Sequence, residues 1–143
     1  MLVSHILNEK GRDVLAIPLE ATLFEAARVL TLNRIGALLV RDPKGALKGI
    51  ISERDIVRAI AEEGASAPAL TVGERMRKDV ATCEENDTIA EIMETMTRCR
   101  FRHMPVVEAG RVAGIVSIGD VVKIRISETM REAQALKDYI AAG

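Results

Sequence analysis

A nine-residue pattern occurs twice in this chain, and the repeat constrains the fold more than any other feature of the sequence. Residues 49–57 read GIISERDIV, and residues 114–122, sixty-five positions later, read GIVSIGDVV. In both copies an apolar run after a glycine ends at a serine, and an aspartate follows three positions on. This order predicts a strand, a tight corner and the start of a helix. A hydroxyl and a carboxylate at such a corner lie beside free helix N–H groups, which can receive a ligand rich in hydroxyls and phosphate.

The sequence around the two corners repeats as well. Residues 22–30 and 88–96 each begin with a threonine, carry a glutamate three positions later and place apolar residues at helical spacing, which predicts a helix with a capping box. Short apolar stretches predict the strands before and after each helix, and two turn segments predict a hairpin in each half. The stretches are residues 14–17, 35–40, 80–83 and 103–107, and the turns are residues 42–45 and 108–110.

The two halves therefore predict one mixed α/β (α+β) module. Each half reads strand, helix, strand, strand, helix, and the short segment 64–70 between them lets the halves pack directly and pseudo-symmetrically. We assign residues 1–65 to the first motif, 66–127 to the second and 128–143 to a C-terminal helix or tail. That helix is expected from about Ser127, with an apolar stripe that docks either on its own domain or on a second subunit.

Composition excludes several classes of protein. The chain has 143 residues, of which 48% are apolar and 29% charged, and its formal net charge of −1 provides no overall attraction for nucleic acid or an anionic membrane. No apolar run is long enough to span a bilayer, and no signal peptide is visible, so we expect a cytoplasmic protein. The two cysteines, Cys83 and Cys99, give neither a disulfide framework nor a metal-ligand spacing. We expect reduced, partly buried thiols and no metal site.

With the repeat aligned in this way, the sequence resembles the cystathionine-β-synthase (CBS) domain family in its minimal form of two tandem motifs, the Bateman module. The resemblance covers roughly residues 5–127, and its most specific part is the Gly-apolar-apolar-Ser-x-x-Asp pattern in both halves. It implies clefts between the motifs that bind adenosine-containing ligands: AMP, ATP, S-adenosylmethionine or NAD(H).

The resemblance also implies roles for individual residues. Asp55 and Asp120 would accept the hydroxyls of a ribose, and Ser52 and Ser117 would contact ribose or phosphate. Arg54 and Gly119 take equivalent places between serine and aspartate, so only the first corner carries a cation there and the two sites should differ. Small and apolar residues of the opposite half would face the adenine. They are Ala16, Ile35, Gly36 and Ala37 for the Asp120 site, and Ala81, Phe101 and Met104 for the Asp55 site.

One dense basic cluster, residues 98–103, follows the predicted helix of the second half. Arg102 and His103 are implied as phosphate ligands by the resemblance, whereas cations are also favoured at a helix C-terminus without any ligand. Contact with RNA is a weaker interpretation, because one phenylalanine and a nearly neutral chain offer little stacking or attraction.

These observations favour a stand-alone regulatory module that senses energy or redox state and signals to an unidentified partner protein. The resemblance implies a homodimer through the second helix of each motif, residues 55–60 and 120–124, and the alternative is that these apolar faces belong to the core of the same molecule. A ligand-free dimerisation module is the first alternative. A nucleotide hydrolase with Asp55 or Asp120 as the base is the second, but two carboxylates near a ribose supply neither a leaving-group acid nor an activated nucleophile. No catalytic residue and no metal requirement are therefore predicted.

Overall fold

The computed structural model describes all residues from 1 to 143, and the chain forms two compact units. The first-repeat unit comprises Asp13–Val80, and the second-repeat unit comprises Met1–Arg12 together with Ala81–Gly143. The first twelve residues thus pack with the second repeat, although they precede the first in sequence.

The first-repeat unit is a three-stranded sheet with helices. The first strand of this unit pairs in parallel with the second, which pairs antiparallel with the third. Leu23, Ala26 and Leu30 of the first long helix bury their side chains in a core with Leu38, Val40 and Ile51 of the strands. The elements are β1 (Ala16–Pro18), α2 (Leu23–Asn33), β2 (Ala37–Arg41), β3 (Leu47–Ser52), α3 (Glu53–Glu63), a 3-10 helix (Gly64–Ala69) and α4 (Val72–Arg75).

The second-repeat unit is built on an antiparallel hairpin. Its core consists of aliphatic residues, methionine and Cys83, as the low aromatic content requires. The elements are α1 (Val3–Lys10), α5 (Ile89–Cys99), β4 (His103–Glu108), β5 (Arg111–Ser117) and α6 (Ile118–Ala142).

The strand predicted at residues 80–83 is wrong in extent. Only Cys83 pairs with β4, in a single parallel bridge in which its N–H donates to Pro105 and its carbonyl accepts from Val107. Immediately afterwards the Asp87 carboxylate accepts the Glu84 N–H at 2.8 Å and turns the chain away from the sheet. Residues 80–82 make no strand pairing, and the Val80 N–H donates to the Lys78 carbonyl, two residues earlier, at 3.1 Å instead of to a strand.

The predicted C-terminal helix is present, but its start at about Ser127 is wrong, because α6 runs without interruption for 25 residues from the second corner. Residues 120–142 contain neither glycine nor proline, so nothing in the backbone ends the helix. Ser127, which the sequence suggested as a helix start, lies inside it. No helix of the chain is both long and apolar enough to cross a membrane.

Each repeat is covered by a segment that precedes the other repeat in sequence. In the second-repeat unit, α1 lies against Gly114, where an added Cβ would come within 2.7 Å of Leu7. In the first-repeat unit, the chain after α4 crosses Gly49, where an added Cβ would lie 2.5 Å from the Arg77 carbonyl oxygen. The glycine that opens both copies of the repeated pattern is thus required by close passage of a second chain segment.

The two cysteines differ in environment, and the expectation that both are partly buried is wrong for Cys99. Cys83 is buried, and this burial raises the pKa of its thiol to about 12, whereas Cys99 is exposed at the end of α5. Because the thiolate is the reactive form, we expect one thiol per chain to react with iodoacetamide at neutral pH and two after denaturation. Mass spectrometry should locate the native label on Cys99; labelling of Cys83 in the folded protein would contradict the burial.

Candidate functional site

The second corner joins β5 to α6 through a reciprocal pair of hydrogen bonds. Ser117 is the N-cap, and its hydroxyl oxygen accepts the Asp120 N–H at 3.2 Å. The Asp120 carboxylate in turn accepts the Ser117 N–H through Oδ2 at 2.9 Å. This capping box fixes the carboxylate at the helix N-terminus, where the helix dipole favours negative charge.

A lysine from the covering helix completes this corner. Lys10, the last residue of α1, donates from Nζ to Asp120 Oδ2 at 2.8 Å, and the two side chains are 37% and 26% exposed. Both the lysine and the capping bond use Oδ2, so Oδ1 keeps its capacity to accept hydroxyl protons. The carboxylate is therefore oriented before any ligand arrives and is still reachable from solvent.

Strand register places the basic cluster of the sequence at the same corner. His103 is paired with Ser117 across the hairpin, and the Arg102 carbonyl accepts the N–H of Ile118, the first residue of α6, at 2.8 Å. The Arg102 side chain is exposed and His103 is half-buried. Gly119 is exposed beside Asp120, with its N–H in the first turn of the helix.

A shallow cleft of about 130 Å³ opens on this corner within the second-repeat unit. Apolar side chains form one part of its wall, while two lysines and two carboxylates form the rest. The lining residues are Ile6, Glu9, Lys10, Asp120, Lys123 and Ile124.

The first corner has the same capping box, but its aspartate makes more bonds and is less accessible. Ser52 caps α3, and Asp55 Oδ2 accepts both the Ser52 N–H at 2.8 Å and the Ser52 hydroxyl at 2.9 Å. Arg77 donates from Nε to Asp55 Oδ1 at 3.4 Å. The Asp55 side chain is only 4% exposed, so both of its oxygens are engaged and covered.

Several other predicted residues lie near the first corner. Ala37 is buried and paired with Ser52, and the Gly36 carbonyl accepts the Glu53 N–H at 3.0 Å. Ile35 is half-buried one position earlier, and Arg54 is exposed on the first turn of α3. Ala16 is exposed at the start of β1, where it pairs with Leu39 rather than with the corner.

The remaining predicted adenine-facing residues belong to the second-repeat unit. Phe101 is half-buried just before β4, and Ala81 is half-buried against the core of the unit. Met104 is 1% exposed and lies in that core, so it presents no side-chain surface to a ligand in this structure. A ligand-facing role for these three residues stays a prediction.

Hydrogen bonds control the charge of the exposed corner. Partial burial alone would raise the pKa of Asp120, but the bonds from Lys10 and Ser117, together with the lysine charge, outweigh burial and lower the pKa below 3.8. Asp120 is therefore ionised at neutral pH and can only accept hydrogen bonds, as a ribose diol requires.

This lowered pKa predicts a pH dependence of stability. A carboxyl group with a lower pKa in the folded than in the unfolded state stabilises the fold above the unfolded-state pKa, near 3.8, and loses this contribution as pH falls through the folded-state pKa. The difference in unfolding free energy between wild type and Asp120→Asn should accordingly be largest near neutral pH and shrink below about pH 4. Urea denaturation across this range measures it; a difference independent of pH would contradict the ion pair with Lys10.

Sequence reasoning missed the two cations that meet the corner aspartates. Lys10 ends the helix that covers the second repeat, and Arg77 follows the short helix that covers the first. At the offset of the repeated corner, Lys10 aligns with Arg75 and Arg12 with Arg77, so extending the internal alignment upstream would have indicated basic residues in both segments without identifying the two that bond to the aspartates.

Two units, each with a helix followed by an antiparallel strand pair that ends in a serine-capped corner closed by an aspartate, define a tandem two-motif module of the mixed α and β class. The chain belongs to the CBS domain family, which it matches over residues 3–62 and 72–127. The resemblance drawn from the repeated corner is thereby confirmed.

Individual relatives agree with this assignment. The chain is 34% identical to the mitochondrial CBS domain-containing protein CBSX3 of Arabidopsis thaliana, over 99% of the chain and 72% of the relative. A crystal structure of a CBS-domain containing protein from Agrobacterium tumefaciens is 47% identical, with a TM-score of 0.85 over 87% of this chain and 92% of the other. The CBS domain pair of protein MJ0100, crystallised with 5′-methylthioadenosine and S-adenosyl-L-methionine, is 28% identical with a TM-score of 0.79, over 90% and 98% of the two chains.

Proposed function

We propose that this chain is a regulatory module that binds an adenosine-containing ligand and transmits its binding to a partner protein rather than catalysing a reaction. The observation that carries the proposal is the Asp120 carboxylate, which is ionised, fixed in orientation and accessible at a strand–helix corner. A bound adenosyl compound in the MJ0100 domain pair supports the class of ligand. AMP, ATP, NAD(H) and S-adenosylmethionine are the candidates.

Asp120 would recognise the ribose. The vicinal hydroxyls of a ribose are two neighbouring donors, and an ionised carboxylate can accept both at once. Because the capping box already holds the carboxylate in place, binding loses little side-chain entropy at this position.

The phosphate end would be read by basic side chains at the same corner. Lys10 bonds to Asp120 Oδ2 at 2.8 Å, so a ribose that bonds to Oδ1 would have the lysine ammonium group beside it. Arg102 and His103 belong to the same corner through strand register. A ligand with phosphate would pair with the ammonium group, whereas adenosine alone would not.

The first corner should bind more weakly. Asp55 is covered and bonded at both oxygens, so a ribose must displace Arg77 as well as expose the carboxylate. We therefore propose that the two corners, although built from the same sequence pattern, differ in affinity.

A ligand-free dimerisation module is the second candidate, and the capping boxes favour it. Both aspartates bond to the backbone of their own corner, which gives each a structural role without any ligand.

A homodimer through the second helix of each motif is compatible with both candidate functions. Val57 and Ile60 on α3 are exposed apolar residues that support it. Light scattering of wild type and Val57→Glu tests that interface.

A thermal-shift assay distinguishes the two candidates. A ligand that binds only the folded protein stabilises it by about 2.7 kcal/mol at a hundred times its dissociation constant. We expect AMP, ATP, NAD, NADH or S-adenosylmethionine to raise the midpoint of unfolding, and guanosine nucleotides to serve as controls. Absence of a shift with all five would leave the dimerisation module as the better interpretation.

The phosphate role of Arg102 gives a further prediction. Arg102→Ala should weaken binding of AMP or ATP about tenfold or more while changing adenosine binding little, because only the phosphate meets the guanidinium. Arg111→Ala, which removes an exposed arginine at the far end of the same hairpin, is the matched control. Calorimetric titration measures both; equal weakening of AMP and adenosine would remove Arg102 from this role.

A further inference from the structure

The C-terminal half of α6 carries an apolar stripe that its own unit does not cover. Every residue from 129 to 142 is exposed, and Ile126, Leu136 and Ile140 are 55%, 60% and 68% exposed. The buried side of the same helix is defined by Val121 and Ile124. Since successive residues turn by about 100°, Ile126 lies about 160° around the helix from Ile124. The stripe therefore faces away from the core of its own unit. Packing against that unit does not account for the apolar residues of the stripe.

The stripe follows a heptad pattern. Ile126, Ala133 and Ile140 are spaced by seven, and Val122, Thr129 and Leu136 fill the second position of each heptad. We call these six residues the α6 seam. A sustained seven-residue spacing keeps a seam facing a partner helix in a left-handed two-stranded coiled coil. The part of α6 that the unit does not cover, residues 129–142, is short enough to be marginal as an isolated helix in water, so a partner would stabilise it.

Charges beside the α6 seam distinguish the possible arrangements of two copies. In a parallel pair, Glu132 of each copy flanks Lys137 of the other, which gives two opposite-charge pairs by symmetry. In an antiparallel pair with the two seams fully overlapped, Glu132 meets its own counterpart and Lys123 meets Lys137. The antiparallel arrangement thus places like charges together at both of these positions.

We propose that α6 forms a parallel two-stranded coiled coil with α6 of a second copy of this chain, through the α6 seam. A twofold axis along the coil makes each seam residue meet its own counterpart, so Ile140 contacts Ile140 and Leu136 contacts Leu136. The α6 seam is separate from the proposed adenosyl site, because none of its six residues lines the cleft at the Ser117–Asp120 corner.

Disulfide formation tests the parallel arrangement directly. In a Cys99→Ser background, which removes the exposed native thiol and keeps buried Cys83, Ile140→Cys should give mostly covalent dimer under mild oxidation. Asp138→Cys, two residues away on the opposite side of the helix, is the matched control and should give little. Equal crosslinking of the two variants, or no crosslinking of Ile140→Cys, would overturn the parallel coil.

Three further variants connect crosslinking to the seam and to its charges. Added to Ile140→Cys, Leu136→Glu should abolish the covalent dimer, while ligand-induced thermal stabilisation of the same protein should persist. Lys137→Glu should slow crosslinking about fivefold by placing two glutamates together, and Glu132→Lys in addition should restore the rate. If the double variant does not recover the crosslinking rate, the proposed charge pairs are excluded. If light scattering shows a monomer at all concentrations, a second copy of the chain is excluded as the partner.

Discussion

Replacement of Asp120 by alanine is expected to weaken binding of an adenosyl ligand about 100-fold, because the proposed ribose contact consists of two charge-assisted hydrogen bonds that alanine cannot make. The fold should persist. Loss of a capping residue and of one partly exposed ion pair with Lys10 lowers the free energy of unfolding by about 1 kcal/mol. Calorimetric titration and urea denaturation of the same sample measure the two effects.

Asp138→Ala is a suitable control for Asp120→Ala. Asp138 is an exposed carboxylate on the same helix that bonds to Gln134, far along α6 from the corner. Its removal changes net charge equally and should leave ligand binding unchanged. Unaltered binding by Asp120→Ala would show that this carboxylate only caps the helix, which is the ligand-free interpretation.

Asp55→Ala is expected to act mainly on stability, with a loss of about 2–3 kcal/mol in unfolding free energy. The buried carboxylate accepts the N–H and the hydroxyl of Ser52 and the guanidinium of Arg77. Alanine removes all three bonds at a position that is 5% exposed and leaves partly buried donors of Ser52 without this acceptor. The sequence alone predicts an equally mild effect for both aspartates; burial changes this expectation for Asp55.

Glu53→Ala tests whether the loss comes from the buried carboxylate or from any acidic residue at the start of α3. Glu53 lies on the first turn, and its side chain is exposed. Its removal should cost less than about 0.5 kcal/mol. Comparable losses for Glu53→Ala and Asp55→Ala would mean that the helix dipole, and not the hydrogen-bonded pair, accounts for the effect.

Most of the fold was predictable from local signals. The capping boxes at Thr22 and Thr88 locate the starts of α2 and α5, and the repeated Ser-x-x-Asp locates the starts of α3 and α6. Such signals are reliable because the side chain bonds to the backbone within three residues. The strand predicted at residues 80–83 failed for the opposite reason, since strand pairing depends on a distant partner, and within these residues only Cys83 finds one.

The sequence by itself determined that one motif occurs twice and that a serine and an aspartate close each strand–helix corner. It could not determine which aspartate remains reachable, because the difference arises from Lys10 and Arg77, which lie 110 and 22 residues away from their partners. Identical local patterns therefore produce one exposed and one covered carboxylate. Burial is a property of the segments that fold over a corner, and only tertiary structure specifies those segments.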